Sequence, residues 1–388
     1  MKKKLRSLLR IVFGRTAFML LFIMLQLAFF FGIVHWISSE YSLISYAGLH
    51  LLGTLTCIYI YNKPENPSFK LSWIIPVLAF PVFGTLLYLY VELEISGRII
   101  SKRANRLVKE SRIYLQQDQK VLSHLEDEDD RLSGLVNYVG EFGGFPIYEN
   151  YTAEYFPSGE QKFERLKEEL EKARKFIFME YFIVEHGVMW DTILEILERK
   201  AKEGVEVRFM YDGMCSIALL PYHYPKILEA KGIHCHAFAP IKPALSTYQN
   251  NRDHRKIVVI DGHTAFTGGV NLADEYINVK ERFGYWKDVA VMIKGEAVKN
   301  FTIMFLQMWN IWEKTPLDYE KYLSHDLPQQ IEGRRSEGFV LPYGDSPLDH
   351  EPVGKMVYLD ILNTAKKYVH IMTPYLILDD ETINALRY

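Results

Sequence analysis

A four-residue apolar run, with a histidine and a lysine just before it, constrains this chain more than any other feature. Ile257-Val258-Val259-Ile260 is β-branched and bounded by polar residues, which predicts a buried strand. Side chains of a strand alternate between its faces, so His254 and Lys256 should point to the same side. An imidazole can attack phosphorus, and an ammonium can offset the charge of the transition state. The pair therefore indicates phosphoryl transfer that requires no metal and no cofactor.

An acid, a glycine pair and an amide follow this strand. Asp261 closes it and Gly268-Gly269-Val270-Asn271 comes next, an order that resembles the HxKxxxxD motif of the phospholipase D superfamily. The continuation Gly284-Tyr285-Trp286-Lys287-Asp288 resembles the bacterial cardiolipin synthase branch. If His254 and Lys256 stood alone, the simpler interpretation would be two solvated polar residues beside a core strand. The acid, the glycine pair and the asparagine that follow favour the phospholipase D motif instead.

The resemblance implies a role for each motif residue. It matches a catalytic set, His254, Lys256 and Asp261, and a substrate-binding set, Gly268, Gly269 and Asn271. It also implies phosphatidyl transfer between two phosphatidylglycerols, giving cardiolipin and glycerol, with His254 as the nucleophile of a phosphohistidine intermediate. A hydrolase of the phospholipase D type, with water as acceptor, is the alternative. The glycine pair argues against it, because such enzymes more often resemble Gly-Ser at that place.

Apolar stretches dominate the first hundred residues. Ala17 to Ile37 and Ser42 to Tyr61 each approach the about 20 residues that span a hydrocarbon core, so we predict two transmembrane helices. Trp73 to Leu93 is interrupted by two prolines and a glycine, and we expect a re-entrant or interfacial hairpin there. Basic residues up to Arg15 and from Arg98 onward place the catalytic region on the cytoplasmic side of a bacterial cell membrane.

Composition excludes several classes of protein. A net charge of −3 gives no electrostatic reason to expect a nucleic-acid partner, so the expected partners are phosphatidylglycerol and membrane lipids. Cys57, Cys215 and Cys235 have neither zinc nor redox spacing and are expected to be free thiols. The alternating His234-Cys235-His236 is more typical of a strand than of a metal site.

From Lys162 onward the apolar spacing switches between helical and strand periods. The predicted helices are 162–175, 188–202, 221–231 and 297–312, and the predicted strands are 176–184, 205–211, 233–239 and 257–260. This alternation predicts an α/β fold, and the resemblance implies a phospholipase D-like mixed-sheet half after the transmembrane helices.

Part of the pattern recurs near the C-terminus. Ala173 to Tyr181 matches Ala365 to Tyr375 in outline, which indicates the start of a second half. The superfamily carries one His-x-Lys motif in each half, and this sequence carries one. We therefore expect an anchor (1–95), a linker (96–135), a first half (136–330) and an incomplete second half (331–388). Activity is then expected to need self-association or a complementing second half, and a catalytically incomplete membrane fragment is a further alternative.

Overall fold

The computed structural model describes residues 24, 27, 28, 31, 32, 39–64, 66–92, 95–215, 219–221, 223–239, 251–323, 336–348 and 351–388. These residues fall into two units that divide between Ile99 and Ile100, and each unit has its own core.

Three helices form the first unit: α1 (Ser39–Tyr61), α2 (Pro67–Ala79) and α3 (Pro81–Glu92). Asn66 caps α2 by accepting a hydrogen bond of 2.9 Å from the N–H of Ser68. The helices pack on one another around Ile60, Val77 and Tyr88. The apolar stretch from Trp73 to Leu93 is thus divided between α2 and α3, because Pro81 begins a new helix.

The transmembrane helices expected here are not supported. Among the residues that the structure describes, no helix combines the length and the apolar character that a membrane crossing needs. α2 and α3 are shorter than the about 20 residues required, and polar side chains such as His50, Thr54 and Thr56 interrupt α1. Most of the other predicted span, Ala17 to Ile37, lies outside the described residues.

An α/β arrangement follows from Ile95 onward. The helices are α4 (Ile95–Ser111), α5 (Gln119–Tyr138), α6 (Gly159–Glu171), α7 (Val188–Lys202), α8 (Tyr224–Glu229), α9 (Val298–Asn310), α10 (Val353–Thr364) and α11 (Asp380–Arg387). The strands are β1 (Tyr151–Phe156), β2 (Phe176–Tyr181), β3 (Glu206–Asp212), β4 (His234–Phe238), β5 (Ile257–Ile260), β6 (Thr264–Gly268) and β7 (Ala290–Gly295). Short 3-10 turns lie at Arg112–Tyr114, Asp274–Ile277 and Glu320–Tyr322, and a π turn at Val139–Gly143.

In the described residues these strands form one seven-stranded mixed sheet of order β1-β7-β6-β5-β2-β3-β4. β2, β3 and β4 are parallel, whereas β5 pairs antiparallel with both β2 and β6. α9 covers one face, where the rings of Phe178 and Phe305 stack with centroids 4.6 Å apart. α6 and α7 cover the other face, where Leu166 and Trp190 are buried. The predicted mixed α/β sheet is confirmed, with helix and strand ends shifted by a few residues.

The C-terminal segment that resembles β2 forms no strand. Residues 365–379 follow α10 without regular secondary structure, and Met372 and Ile377 are 89% and 92% exposed. A strand exists only through hydrogen bonds to a neighbour, and none of the described strands pairs with this segment. The segment that was expected to begin a second half therefore forms no strand among the described residues.

Asp261 fixes the start of β2 from the end of β5. Its carboxylate accepts three backbone hydrogen bonds, from the N–H groups of Arg174 (2.8 Å), Lys175 (2.7 Å) and Phe176 (2.8 Å). Its φ of 52° lies in the left-handed region, which aspartate and asparagine tolerate better than most residues. One buried side chain thus holds two neighbouring strands in register.

Asp261→Asn should therefore destabilise the fold without disturbing the local backbone. The amide keeps one acceptor oxygen but loses the charge that strengthens all three bonds, at a cost of about 3 kcal/mol in the free energy of unfolding. Chemical denaturation of the variant and the wild type would measure this loss. Asp360→Asn, a partly buried site on α10, removes the same charge without such a cap and should cost much less; equal losses would contradict the role of Asp261.

Candidate active site

His254 and Lys256 lie in direct contact just before β5. The Lys256 Nζ lies 3.2 Å from the Nδ1 of His254 and donates to the His254 carbonyl oxygen at 2.6 Å. Both side chains meet the ring of Phe182, which follows β2. The His254 and Phe182 centroids are 4.6 Å apart, and the ammonium lies 5.4 Å from the same ring. The strand pairing of β2 with β5 therefore brings an imidazole and an ammonium together against one aromatic ring.

The charges of this pair suit attack on a phosphate diester. Burial and the neighbouring ammonium lower the pKa of His254, which keeps its imidazole neutral near pH 7. Burial lowers the pKa of Lys256 to about 8, opposed by the carboxylates of Asp253 and Asp288, so most of its ammonium remains charged at pH 7. A charged lysine can only donate, so Nδ1 accepts and the imidazole proton belongs on Nε2.

A network of acids holds the loop that carries His254. Asp212, at the end of β3, accepts hydrogen bonds from the Arg252 guanidinium at 3.1 Å and from the N–H of Asp253 at 2.9 Å. Asp253 in turn accepts from the N–H of Arg255 at 3.2 Å. The backbone on both sides of His254 is thus tied to the sheet.

Two buried carboxyl groups, Glu180 on β2 and Asp253, interact beside this loop. Neither Glu180 oxygen, nor the Asp253 Oδ2, receives a bond from an N–H or O–H donor of the described residues. Burial raises the pKa of Glu180, with the Asp253 charge adding to it, and burial raises the pKa of Asp253 to about 6. A proton shared between the two carboxyl groups accounts for both observations.

The glycine pair at the end of β6 leaves room for the carboxylate of Asp288. Gly268 has a φ of 149°, which favours glycine, and the N–H of Gly269 donates to the Val289 carbonyl at 3.0 Å. A Cβ on Gly269 would lie 2.0 Å from an Asp288 oxygen, so only glycine leaves room for that carboxylate. Asp288 then acts electrostatically on Lys256.

The remaining motif residues lie at different distances from the pair. Asn271 accepts from the N–H of Ile183 at 2.9 Å and donates to the Tyr276 hydroxyl at 2.8 Å, so it supports the segment after Phe182. Asp261 stands at the opposite end of β5 from Lys256, about 16 Å away along the strand. The structure thus brings His254 and Lys256 together and does not bring Asp261 to them.

Sequence reasoning gave no role to Lys162, Glu180, Asp253 or Asp288. A signal for Lys162 was present, since it lies four residues before Leu166 on the buried face of α6. Glu180 is likewise an acid within an otherwise apolar buried strand. Among the described residues, no group of three or more His, Cys, Asp or Glu side chains could hold a metal ion.

Glu180→Gln should flatten the pH dependence of stability. The folded state binds the shared proton more tightly than the unfolded state, so this stability is present at low pH and is lost as pH rises through about 6 and above. Glutamine stays neutral, and its amide can donate to Asp253. As the pH rises from about 4 to about 8, the melting temperature of the variant should therefore fall less than that of the wild type.

Glu195→Gln, at an exposed position of α7, is the matched control and should follow the wild-type curve. An equal fall in Glu180→Gln and the wild type would show that the carboxyl pair holds no proton.

The fold and the half-site formed by His254 and Lys256 together define a phospholipase D-like domain. The family model described as "Cardiolipin synthase, PLD-like domain" matches residues 166–309, and the model described as "Phospholipase_D-nuclease N-terminal" matches residues 51–91. The chain is 31% identical over 350 residues to a cardiolipin synthase of Alkalihalophilus pseudofirmus, covering 87% of this chain and 68% of that protein. The chain belongs to the cardiolipin synthase family.

Two further likenesses accompany these matches. An uncharacterized protein of Streptococcus mutans is 49% identical over 333 residues, which cover 85% of this chain and 71% of that protein. The crystal structure of phosphatidylserine synthase from Haemophilus influenzae matches with 15% identity and a TM-score of 0.44, covering 65% of this chain and 62% of that one.

Proposed function

We propose that the chain transfers a phosphatidyl group from one phosphatidylglycerol to another, giving cardiolipin and glycerol. The observation that carries this proposal is the contact between the His254 imidazole and the buried Lys256 ammonium. A neutral nucleophile beside a fixed cation suits a phosphodiester, whose charge increases in the transition state. Membership of the cardiolipin synthase family supports a lipid alcohol, rather than water, as the acceptor.

The first step forms a phosphohistidine. In the free site the Nδ1 lone pair of His254 faces the Lys256 ammonium, so this ammonium must move to a phosphoryl oxygen before that lone pair is free. The imidazole then bonds to phosphorus as the phosphorus bond to the glycerol oxygen breaks, and the departing glycerol takes up a proton. In the second step the hydroxyl of another phosphatidylglycerol gives its proton to the group that protonated the glycerol, attacks phosphorus and breaks the bond from phosphorus to His254.

The proton for the departing glycerol needs a general acid, which we assign to a second histidine motif facing His254. Self-association or a complementing second half would supply it. Tyr375, from the segment that resembles β2, already lies against His254, with ring centroids 5.7 Å apart. A half-site without this acid should turn over about a hundred- to ten-thousand-fold more slowly. Lys256, Asn271 and the glycine pair are proposed to hold the phosphate, and Asp261 to support the site through β2.

His254→Ala should abolish both transfer and covalent labelling. With phosphatidylglycerol labelled at phosphorus in mixed micelles, the wild-type chain should acquire a phosphatidyl label that acid removes and alkali does not. Lys256→Ala should label more slowly, because the ammonium matters most when phosphate charge is greatest. Labelling is measured after gel separation, and lipid products are measured by mass spectrometry.

His186→Ala is the matched control, since this exposed histidine pairs with Asp191 away from the site. Equal labelling of His254→Ala and the wild type would remove the motif from the mechanism. Phosphatidic acid in place of cardiolipin, from the chain with its complementing half, would identify a hydrolase instead.

The first unit is proposed to hold the enzyme at the bacterial membrane, with the catalytic unit on the cytoplasmic side. Its helices leave large apolar side chains exposed to solvent, among them Leu55 (55% exposed) on α1 and Ile75 (63% exposed) on α2. Soluble proteins rarely expose apolar side chains in such density, whereas a lipid surface would cover them.

Leu55→Glu combined with Ile75→Glu should weaken binding to phosphatidylglycerol vesicles. Each apolar side chain contributes about 1.5–3 kcal/mol when it is fully buried, so the pair should reduce partitioning at least about a hundredfold. Vesicle flotation in high salt measures this, since salt screens charge but not apolar contact. Ile227→Glu, on an exposed position of α8, is the control; equal binding by the double variant and this control would contradict the lipid contact.

A further inference from the structure

Lys162 is a buried lysine that the mechanism above does not use. It lies on the inner face of α6 and only 2% of it is exposed. Its Nζ donates to the Tyr181 hydroxyl at 2.8 Å and reaches the Val270 carbonyl oxygen at 3.5 Å. A buried ammonium is costly unless it is paired, and no carboxylate of the described residues forms an ion pair with it.

Both partners of Lys162 belong to elements that build the half-site. Tyr181 is the last residue of β2 and immediately precedes Phe182, the wall against His254 and Lys256. Val270 lies between Gly269, which makes room for Asp288, and Asn271. Lys162 therefore connects two of the segments that surround the reactive pair.

The titratable groups around Lys162 come from three other elements: Tyr181 on β2, Lys256 before β5 and Asp288 before β7. Burial lowers the pKa of Lys162 to about 7; the Asp288 carboxylate opposes this decrease and the Lys256 ammonium adds to it. Asp288 acts on Lys256 and on Tyr276 as well, and Asp253 and His254 interact with Lys256. Two buried lysines and the partly exposed Asp288 carboxylate thus act electrostatically on one another.

We propose that Lys162 is a positioning residue that carries a second, switchable positive charge: burial and the nearby Lys256 ammonium suppress this charge in the free site, and a bound phosphate anion restores it. The proton comes from solvent when the anion arrives. The ammonium then sits behind the glycine loop, where it strengthens the field on the phosphate without touching it. The role in catalysis rests on the proposed function, whereas the coupling of the charges does not.

Lysine labelled with 13C at Cε in the full chain, in detergent micelles, allows each amine to be titrated by NMR. One signal of the wild type should titrate near pH 7, far below the ordinary lysine value, and Lys162→Met should remove it. Lys256→Met should raise this midpoint and Asp288→Asn should lower it, each by about one pH unit. Inorganic phosphate, the probe for the anion, should raise it in the wild type.

Lys167→Met, at a partly exposed position of α6 where the lysine pairs with Glu164, is the matched control and should leave the midpoint unchanged. If Lys162→Met fails to fold, Tyr181→Phe assigns the signal instead. It removes the hydroxyl that accepts from Lys162, so it should shift the titration midpoint of that amine alone. A wild-type midpoint near the ordinary lysine value, or shifts of the same sign in Lys256→Met and Asp288→Asn, would overturn the coupling. No response to phosphate would overturn the switch.

These titrations need no catalytic turnover, so they distinguish failure of the proposed function from failure of the role proposed for Lys162. A chain that shows the opposite shifts but makes no cardiolipin would contradict only the proposed function. A working synthase without the shifts would contradict only the role of Lys162.

Discussion

The antiparallel pairing of β5 with β2 is the interaction on which the site depends. β5 places Lys256 and His254 before its first residue and Asp261 after its last. The Asp261 carboxylate fixes the N–H groups where β2 begins, and the pairing then fixes where β2 ends, at Tyr181, so that the next residue, Phe182, lies beside His254 and Lys256. The spacing between the lysine and the aspartate of the motif is therefore the length of a strand. Asp261 reaches neither His254 nor Lys256, yet its hydrogen bonds help to determine where this pair lies.

The residues just before β5 distribute their charges between the two faces of the sheet. Lys256 lies on the side of α6, within electrostatic range of Lys162, whereas Arg255 donates to the Met304 carbonyl of α9 at 3.4 Å on the other side. The carboxyl pair of Glu180 and Asp253 experiences the Arg255 charge. Because charge interactions are stronger where water is excluded, each group changes the protonation of its neighbours. The site is better described as a coupled set of charges than as one histidine and one lysine.

Local patterns predicted the α/β unit well, because burial imposes regular spacing. The helix 188–202 and the strand 257–260 were predicted with the ends that the structure gives them. Contacts between distant segments carry no such spacing: nothing in the sequence tied Lys162 to Tyr181 and Val270, or Asp261 to the start of β2. The transmembrane prediction was not supported for Ser42 to Tyr61 because polar side chains such as His50, Thr54 and Thr56 interrupt the apolar character of α1.

The geometry of the half-site also explains why its chemistry calls for a partner. The rings of Phe182 and Tyr375 lie close to the His254 ring. The Lys256 ammonium contacts the Nδ1 of the same imidazole. The ammonium can neutralise phosphate charge, but it cannot both hold the phosphate and supply the proton that departing glycerol needs. In the proposed reaction that proton comes from a group facing His254 across the phosphate. The exposed segment around Tyr375 lies beside His254, so a partner bringing that group would meet a surface that lacks strand pairing.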